Sequence, residues 1–212
     1  MDQWAFFDEL KAGKVSVTYA LDKVDSLEIE KPKNFDSLVK AVESGSGSSA
    51  VKGLSNIISE YKMLQWDKPA VRYLAEAYLQ MKQPQKAYDT ARIILDEDIT
   101  FAYKGEIAPV YWQALLETNR KSMLENCLKH AVAEGSRPLS AEALLMRGDI
   151  FLKDNGDGIE NCRRVLIDSY LKVALMYNDA DCVVPRRKAM LKCAAMFEKM
   201  GLSDQAQNMR NN

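Results

Sequence analysis

From about residue 36 onward, apolar residues recur at spacings of three and four, in stretches separated by joins of only a few residues. This combination constrains the chain more than any other feature. Helices joined so tightly must pack antiparallel as hairpins. Lys68-Pro69, Gln83-Pro84, Arg137-Pro138 and Val184-Pro185 punctuate the pattern. Proline lacks an N–H and is tolerated in a helix's first turn but not in its interior, so each marks a helix start. Gly45, Gly47, Gly135, Gly156, Gly158 and Gly201 supply stops and turns. Alternating Val, Ile and Thr stretches are almost missing, so the predicted class is all-α. The spacing predicts helices over 35–44, 49–63, 68–81, 84–96, 103–118, 120–134, 139–153, 158–177, 183–200 and 203–210.

One hairpin has nowhere to bury its second apolar face, whereas a stack of hairpins does, and stacking should leave an internal period. It is present. Ala75 is followed by Tyr78 and then Ala87, and the last hairpin repeats the same offsets with Ala194, Phe197 and Ala206 around a turn at Gly201. A small residue on the first helix lets the second approach at the matching small residue, while the aromatic fills the wedge between hairpins.

These residues resemble the tetratricopeptide repeat (TPR), a helix-turn-helix of about 34 residues with small and large side chains at those offsets. The resemblance is strongest over 68–99 and 183–210. A weaker copy covers 107–138, where Ala114, Ala133 and Pro138 fit and Asn126 stands in for a small residue. Another covers 141–178, with Gly148 and Phe151 on the first helix and Leu166, Tyr170 and Val173 on the second. That copy carries extra residues around Asp154-Asn155-Gly156-Asp157-Gly158 and therefore a longer turn. Residues 35–61 read as a degenerate hairpin with Leu38, Ala41, Ala50, Leu54 and Ile57 at core positions. The resemblance implies a right-handed superhelix of antiparallel hairpins, a TPR-like α-solenoid over residues 35–212.

Residues 1–34 stand outside the period. Trp4, Phe6, Phe7 and Leu10 can line one side of a short helix, and the Val-Ser-Val-Thr-Tyr run from Val15 is locally ambiguous. The expectation is a helical cap over the open end of the stack, because terminal units of repeat arrays are atypical. The alternative is an aromatic-rich docking segment ordered against a partner.

Little in the chain points to chemistry. The only histidine, His130, sits at helical spacing in Cys127-Leu128-Lys129-His130-Ala131 with no nucleophile elbow, which favours a helix-surface or packing role. Cys127, Cys162, Cys182 and Cys193 form no Cys-x-x-Cys pair, so no metal is expected, and they read as buried thiols. There is no glycine-rich phosphate loop, so no cofactor is expected. The turn at Asp154–Gly158 lacks the oxygen spacing and closing Glu of a calcium loop and reads as an inserted surface turn.

With 29 Lys and Arg against 30 Asp and Glu, the net charge of -1 leaves no global positive field to gather nucleic acid. No apolar run approaches the roughly 20 residues that span a bilayer. The opening residues lack a basic leader, so a complete chain would be cytoplasmic, and one from which a leader had been cut would be periplasmic or secreted.

Binding is the expectation that remains. A TPR-like superhelix implies a concave groove lined by the first helix of each pair and used for proteins or peptides. Carried onto this sequence, the groove residues are Arg72 and Glu76, Tyr111 and Leu115, Asp149, and Lys188 with Lys192. Some members of the family hold a peptide's terminal carboxylate in a clamp of Lys and Asn. Glu76 stands where that clamp would want Asn, which argues against a chaperone-tail adaptor. Arg163-Arg164 and Arg186-Arg187-Lys188 make the last third locally basic, while Asp22, Asp25, Glu28 and Glu30 enrich the first in acids. That asymmetry allows an anionic partner or a head-to-tail homo-oligomer. The expected function is a non-catalytic scaffold or assembly adaptor for a protein or peptide. Self-assembly is the alternative, and a hydrolase-type enzyme comes a distant third.

Overall fold

The computed structural model describes residues 3–10, 13–20, 29–62 and 64–211, the first two stretches as backbone. The chain divides into two compact units, Met1–Pro32 and Lys33–Asn212. In the first, β1 (Gln3–Leu10) and β2 (Gly13–Ala20) pair antiparallel, with Trp4 opposite Tyr19, Phe6 opposite Val17 and Asp8 opposite Val15. The helix expected around Trp4 to Leu10 is therefore a strand. The β-branched and aromatic residues Val15, Val17, Thr18 and Tyr19 disfavour a helix, and the stretch facing them follows as their partner. Of the first-third acids, Asp22, Asp25 and Glu28 lie outside the described residues.

The second unit is built entirely from helices, as expected. It runs α1 (Phe35–Glu43), α2 (Gly47–Glu60), α3 (Asp67–Gln80), α4 (Pro84–Leu95), α5 (Phe101–Lys104), α6 (Ala108–Glu117), α7 (Lys121–Glu134), α8 (Arg137–Asn155), α9 (Ile159–Val165), α10 (Leu171–Met176), α11 (Val183–Lys199) and α12 (Ser203–Asn211). Between α9 and α10 a π-helical turn, Leu166–Tyr170, continues the same rod. The pairs are α1/α2, α3/α4, α6/α7, α8 with α9–α10, and α11/α12. Each second helix packs on the first helix before it and the one after it, and the first helices α1, α3, α6, α8 and α11 also touch in succession. The array is thus drawn together along its first helices and opens between its second helices.

Two predicted helices are interrupted. The one expected over 103–118 splits into α5 and α6. Pro109 falls in the first turn of α6, where its ring would collide with the carbonyl four residues back had the helix been continuous. Gly105 leaves α5 in an extended conformation, and the buried Trp112 Nε1 donates to the Ala102 carbonyl at 2.7 Å to hold the short α5 against α6. The helix expected over 158–177 is one rod, but its middle turn is wider than α.

The core divides into three clusters along the stack, around Leu54 and Leu74, around Tyr111, Trp112 and Leu115, and around Tyr170 and Val173. A fully buried Leu or Val contributes about 1.5–3 kcal/mol relative to leaving it exposed. The small-residue joints lie where the period placed them: Ala75, Ala87, Ala194 and Ala206 are all completely buried. At α7 the small buried residue is Ala131, whereas Ala133 faces solvent, two positions away from the expected register. A polar bracket ties the first two pairs together. Gln80 Nε2 donates to the Val42 carbonyl at 2.7 Å while its Oε1 accepts from Gly47 N at 3.1 Å.

Candidate functional site

The seven groove positions separate into three groups. Asp149, Lys188 and Lys192 come together: Lys192 Nζ donates to Asp149 Oδ1 at 2.6 Å, and Lys188 pairs with Glu142 at 2.7 Å, so α8 and α11 are laced by ion pairs across their faces. Asp149 also accepts from the Tyr170 hydroxyl at 2.7 Å. Burial first, and then this bond to a carboxylate, push the Tyr170 phenol well above its ordinary range.

Arg72 and Glu76 lie on α3, away from those pairs, and both are half-buried. The Arg72 guanidinium sits 4.5 Å from the Tyr73 ring centre, and its Nε is buried without a partner. With Lys68, Pro69, Phe101 and Glu106 it lines a cleft of about 190 Å³.

Tyr111 and Leu115 lie in the core and not in the groove. Their exposures are 1% and 0%, so neither can meet a partner. Tyr111 stacks on Tyr88 with ring centres 5.7 Å apart, and burial drives its hydroxyl pKa upward. The signal was legible in the sequence: at about 100° per residue Ala108, Val110, Tyr111, Trp112, Ala114 and Leu115 spread over about 200° of α6, roughly twice the width of an ordinary core-facing stripe, and Tyr111 and Leu115 fall inside that arc.

His130 occupies the surface role, within 3.0 Å of Glu134 and beside the Tyr103 ring at 5.1 Å. Its hydrogen bond, followed by that of Lys104, holds the Glu134 carboxyl below the usual carboxylate range. The four cysteines are unpaired. Burial pushes Cys127 up to about 11 and Cys193 up to about 12, and it raises Cys162 and Cys182 as well, which leaves protonated, unreactive thiols. Asp179, Asp181 and Cys182 lie close together, but Asp179 is already held by Arg137 at 2.8 Å.

A second concavity, absent from the sequence expectations, opens between the second helices. α8 forms its floor, with α7 on one side and the α9–α10 rod on the other. Arg137, Arg147, Arg164 and Lys172 stand around it with a single acid, Asp168, over an apolar bed that includes Leu144, Val165 and Met176, in a cleft of about 490 Å³. Arg147 and Phe151 also wall an adjoining cleft of about 520 Å³ that runs toward Lys121 and Asn155. Of these four cations, only Arg164 belongs to a basic cluster visible in the sequence. Arg147 and Lys172 lie 25 residues apart in sequence and give no local signal.

No family model matches the chain, and no curated protein does either. Two solved structures do match, both of the nearly identical TPR-like repeats from a Podosopora anserina chain named after the kinesin light chain, one of them a single-substitution variant. The variant aligns at 12% identity with a TM-score of 0.53, covering 87% of this chain and 94% of its own. The other aligns at 13% identity with a TM-score of 0.54, covering 86% and 94%. The fold is the TPR-like helical repeat. Identities this low show architecture alone. No helix among the described residues is long and apolar enough to cross a membrane.

Proposed function

We propose that this TPR-like array is a non-catalytic scaffold that presents its first-helix face to a protein or peptide. Arg72 carries the reading. It is a half-buried cation whose Nε has no partner, set in a small cleft beside Pro69 and Phe101, and a buried donor without an acceptor is costly unless something supplies one. Glu76 stands one helical turn further along the same face. The lysine and acid pairs of α8 and α11 extend that face, and their exposure lets them exchange partners at little cost. Unpaired, protonated thiols suit a reducing compartment such as the cytoplasm.

Photo-crosslinking tests the proposal. A crosslinking residue at position 76 should capture a protein partner from the native cell extract, an R72E substitution should abolish the capture, and the same residue at position 52 on α2, exposed and outside every cleft described above, should capture nothing. Equal capture from both positions, or capture unaffected by R72E, overturns it. A second reading, self-assembly through the last hairpin, draws on Val183, Val184 and Leu191, each more than half exposed on α11. A strictly monomeric sedimentation profile at high concentration would remove that one.

A further inference from the structure

We infer that the cleft between the second helices is a docking site in its own right, and that it takes an extended acidic peptide segment of another protein bearing at least one apolar side chain. It is separate from the first-helix face, and its charge is its first credential. Four cations face one acid in a chain whose overall charge is -1, so a local positive field has been built where composition supplies none. Two of the cations are committed. Arg137 bonds Asp179 and the Met176 carbonyl, and Arg164 reaches Asp168 at 3.7 Å. Arg147 and Lys172, both exposed, have no hydrogen-bond or ion-pair partner among the described residues.

The helix that carries this wall is itself shaped for it. Arg164, Asp168, Lys172 and Met176 are four residues apart, a spacing that drifts around a regular helix of 3.6 residues per turn. All four nevertheless line the same cleft. The π-helical turn at Leu166–Tyr170 takes up the extra residue that keeps them in line, and such turns recur at functional sites.

Shape and surface chemistry select a peptide over the other anions. The two adjoining clefts, about 490 and 520 Å³, are far larger than one phosphate needs, and together they form a trough along α8; the second adds Lys121 and Lys153 against Glu125 and Asp154, so cations remain in excess along it. Single-stranded nucleic acid would require open aromatic faces on which bases stack. Here the faces are capped: the Arg164 guanidinium lies 4.9 Å from the Phe151 ring and that of Arg137 lies 4.4 Å from Tyr177. What stays open between the cations is apolar surface of Met176, 64% exposed, and of the partly buried Val132, above the buried Leu144 and Val165. That surface recognises carboxylates flanking an apolar side chain.

The test is selection from a random peptide library, about twelve residues long, against the full chain, followed by anisotropy with the best labelled peptide. We expect enrichment of peptides combining Asp or Glu with apolar residues. Binding should weaken at least about tenfold in R147E/K172E and several-fold between about 50 and about 300 mM salt. It should change less than about twofold in K188E/K192E, on the other face. Arg147, Lys172 and Lys188 are exposed and Lys192 is partly buried, and an unchanged thermal melt for each variant confirms that folding is intact. Selection without acidic enrichment, acidic peptides that bind R147E/K172E as well as the native chain, or equal competition by a single-stranded oligonucleotide of the same charge would each overturn the inference. R72E separates it from the first-helix proposal, because that variant should leave the selected peptide bound.

Discussion

The α3/α4 pair and the α8 pair solve one packing problem in opposite ways. In the first, Ala75 and Ala87 are both small and both buried, and two helices meet over a pair of methyl groups. In the second, the space is divided unequally. Tyr170 brings a full ring to the joint, and Gly148 gives up its side chain entirely: a Cβ there would lie 2.6 Å from Tyr170 Cε1 and 3.0 Å from Val165 Cγ1. The lesson is that the joint requires complementary fit between its two helices, which different pairs of residues can supply. The α8 pair also has the longer turn, with Asp154 held by Lys121 and Asp157 held by Lys199, and the π-helical turn in its second helix. A joint built around a ring can tolerate those irregularities because Tyr170 is fixed at both ends, its ring among core residues and its hydroxyl on Asp149.

The sharpest break of this comparison is Tyr170→Ala, which removes the large half of the unequal joint and should cost about 3–5 kcal/mol in chemical denaturation. Gly148→Ala comes next. Helix propensity alone would make it stabilising, yet the collision with Tyr170 should cost about 1–3 kcal/mol, and combining it with Tyr170→Leu should recover part of that loss relative to the two single changes summed. The reverse exchange, Ala75→Gly, should cost only about 1 kcal/mol, because it loses helix propensity and one methyl without a clash. If Gly148→Ala proves stabilising, the volume account of the α8 pair fails.

The smallest effect concerns the Arg137–Asp179 pair beside the same joint. Arg137 holds the Asp179 carboxyl below the ordinary carboxylate range, chiefly through the hydrogen bond. Such a carboxylate stabilises the fold above its unfolded value and loses that contribution as pH falls through its lowered folded value. Asp179→Asn should therefore flatten the acid limb of a stability-against-pH curve and leave the neutral region nearly unchanged, since the pair is exposed.

Much of the architecture could be read in advance. Period and proline positions gave ten helices, and the observed ones follow them to within a few residues outside the two interruptions. The break at α5 was also legible in Pro109 and Gly105 but was overridden by an apolar run long enough for one helix. The groove fared less well. Arg72 and Glu76 stay accessible, but analogy of position on a first helix misplaces Tyr111 and Leu115, because the wide apolar arc of α6 is packed between α3, α4, α7 and α8 and leaves only the Gln113 and Glu117 side open. For Trp4 to Leu10, apolar spacing was compatible with a helix, and the strand-forming preference of the facing segment decided otherwise.

The sequence by itself determined that helices form, where they begin, and that small residues at Ala75, Ala87, Ala194 and Ala206 bring them together, because these follow from local backbone chemistry and a repeating spacing. Tertiary structure alone decided which charges meet. Lys192 finds Asp149 and Lys188 finds Glu142 across more than forty residues of chain, while Arg147 and Lys172 find no acid. The packing of α11 and of the α9–α10 rod against α8 sets those distances, and it is not encoded in any short stretch of residues.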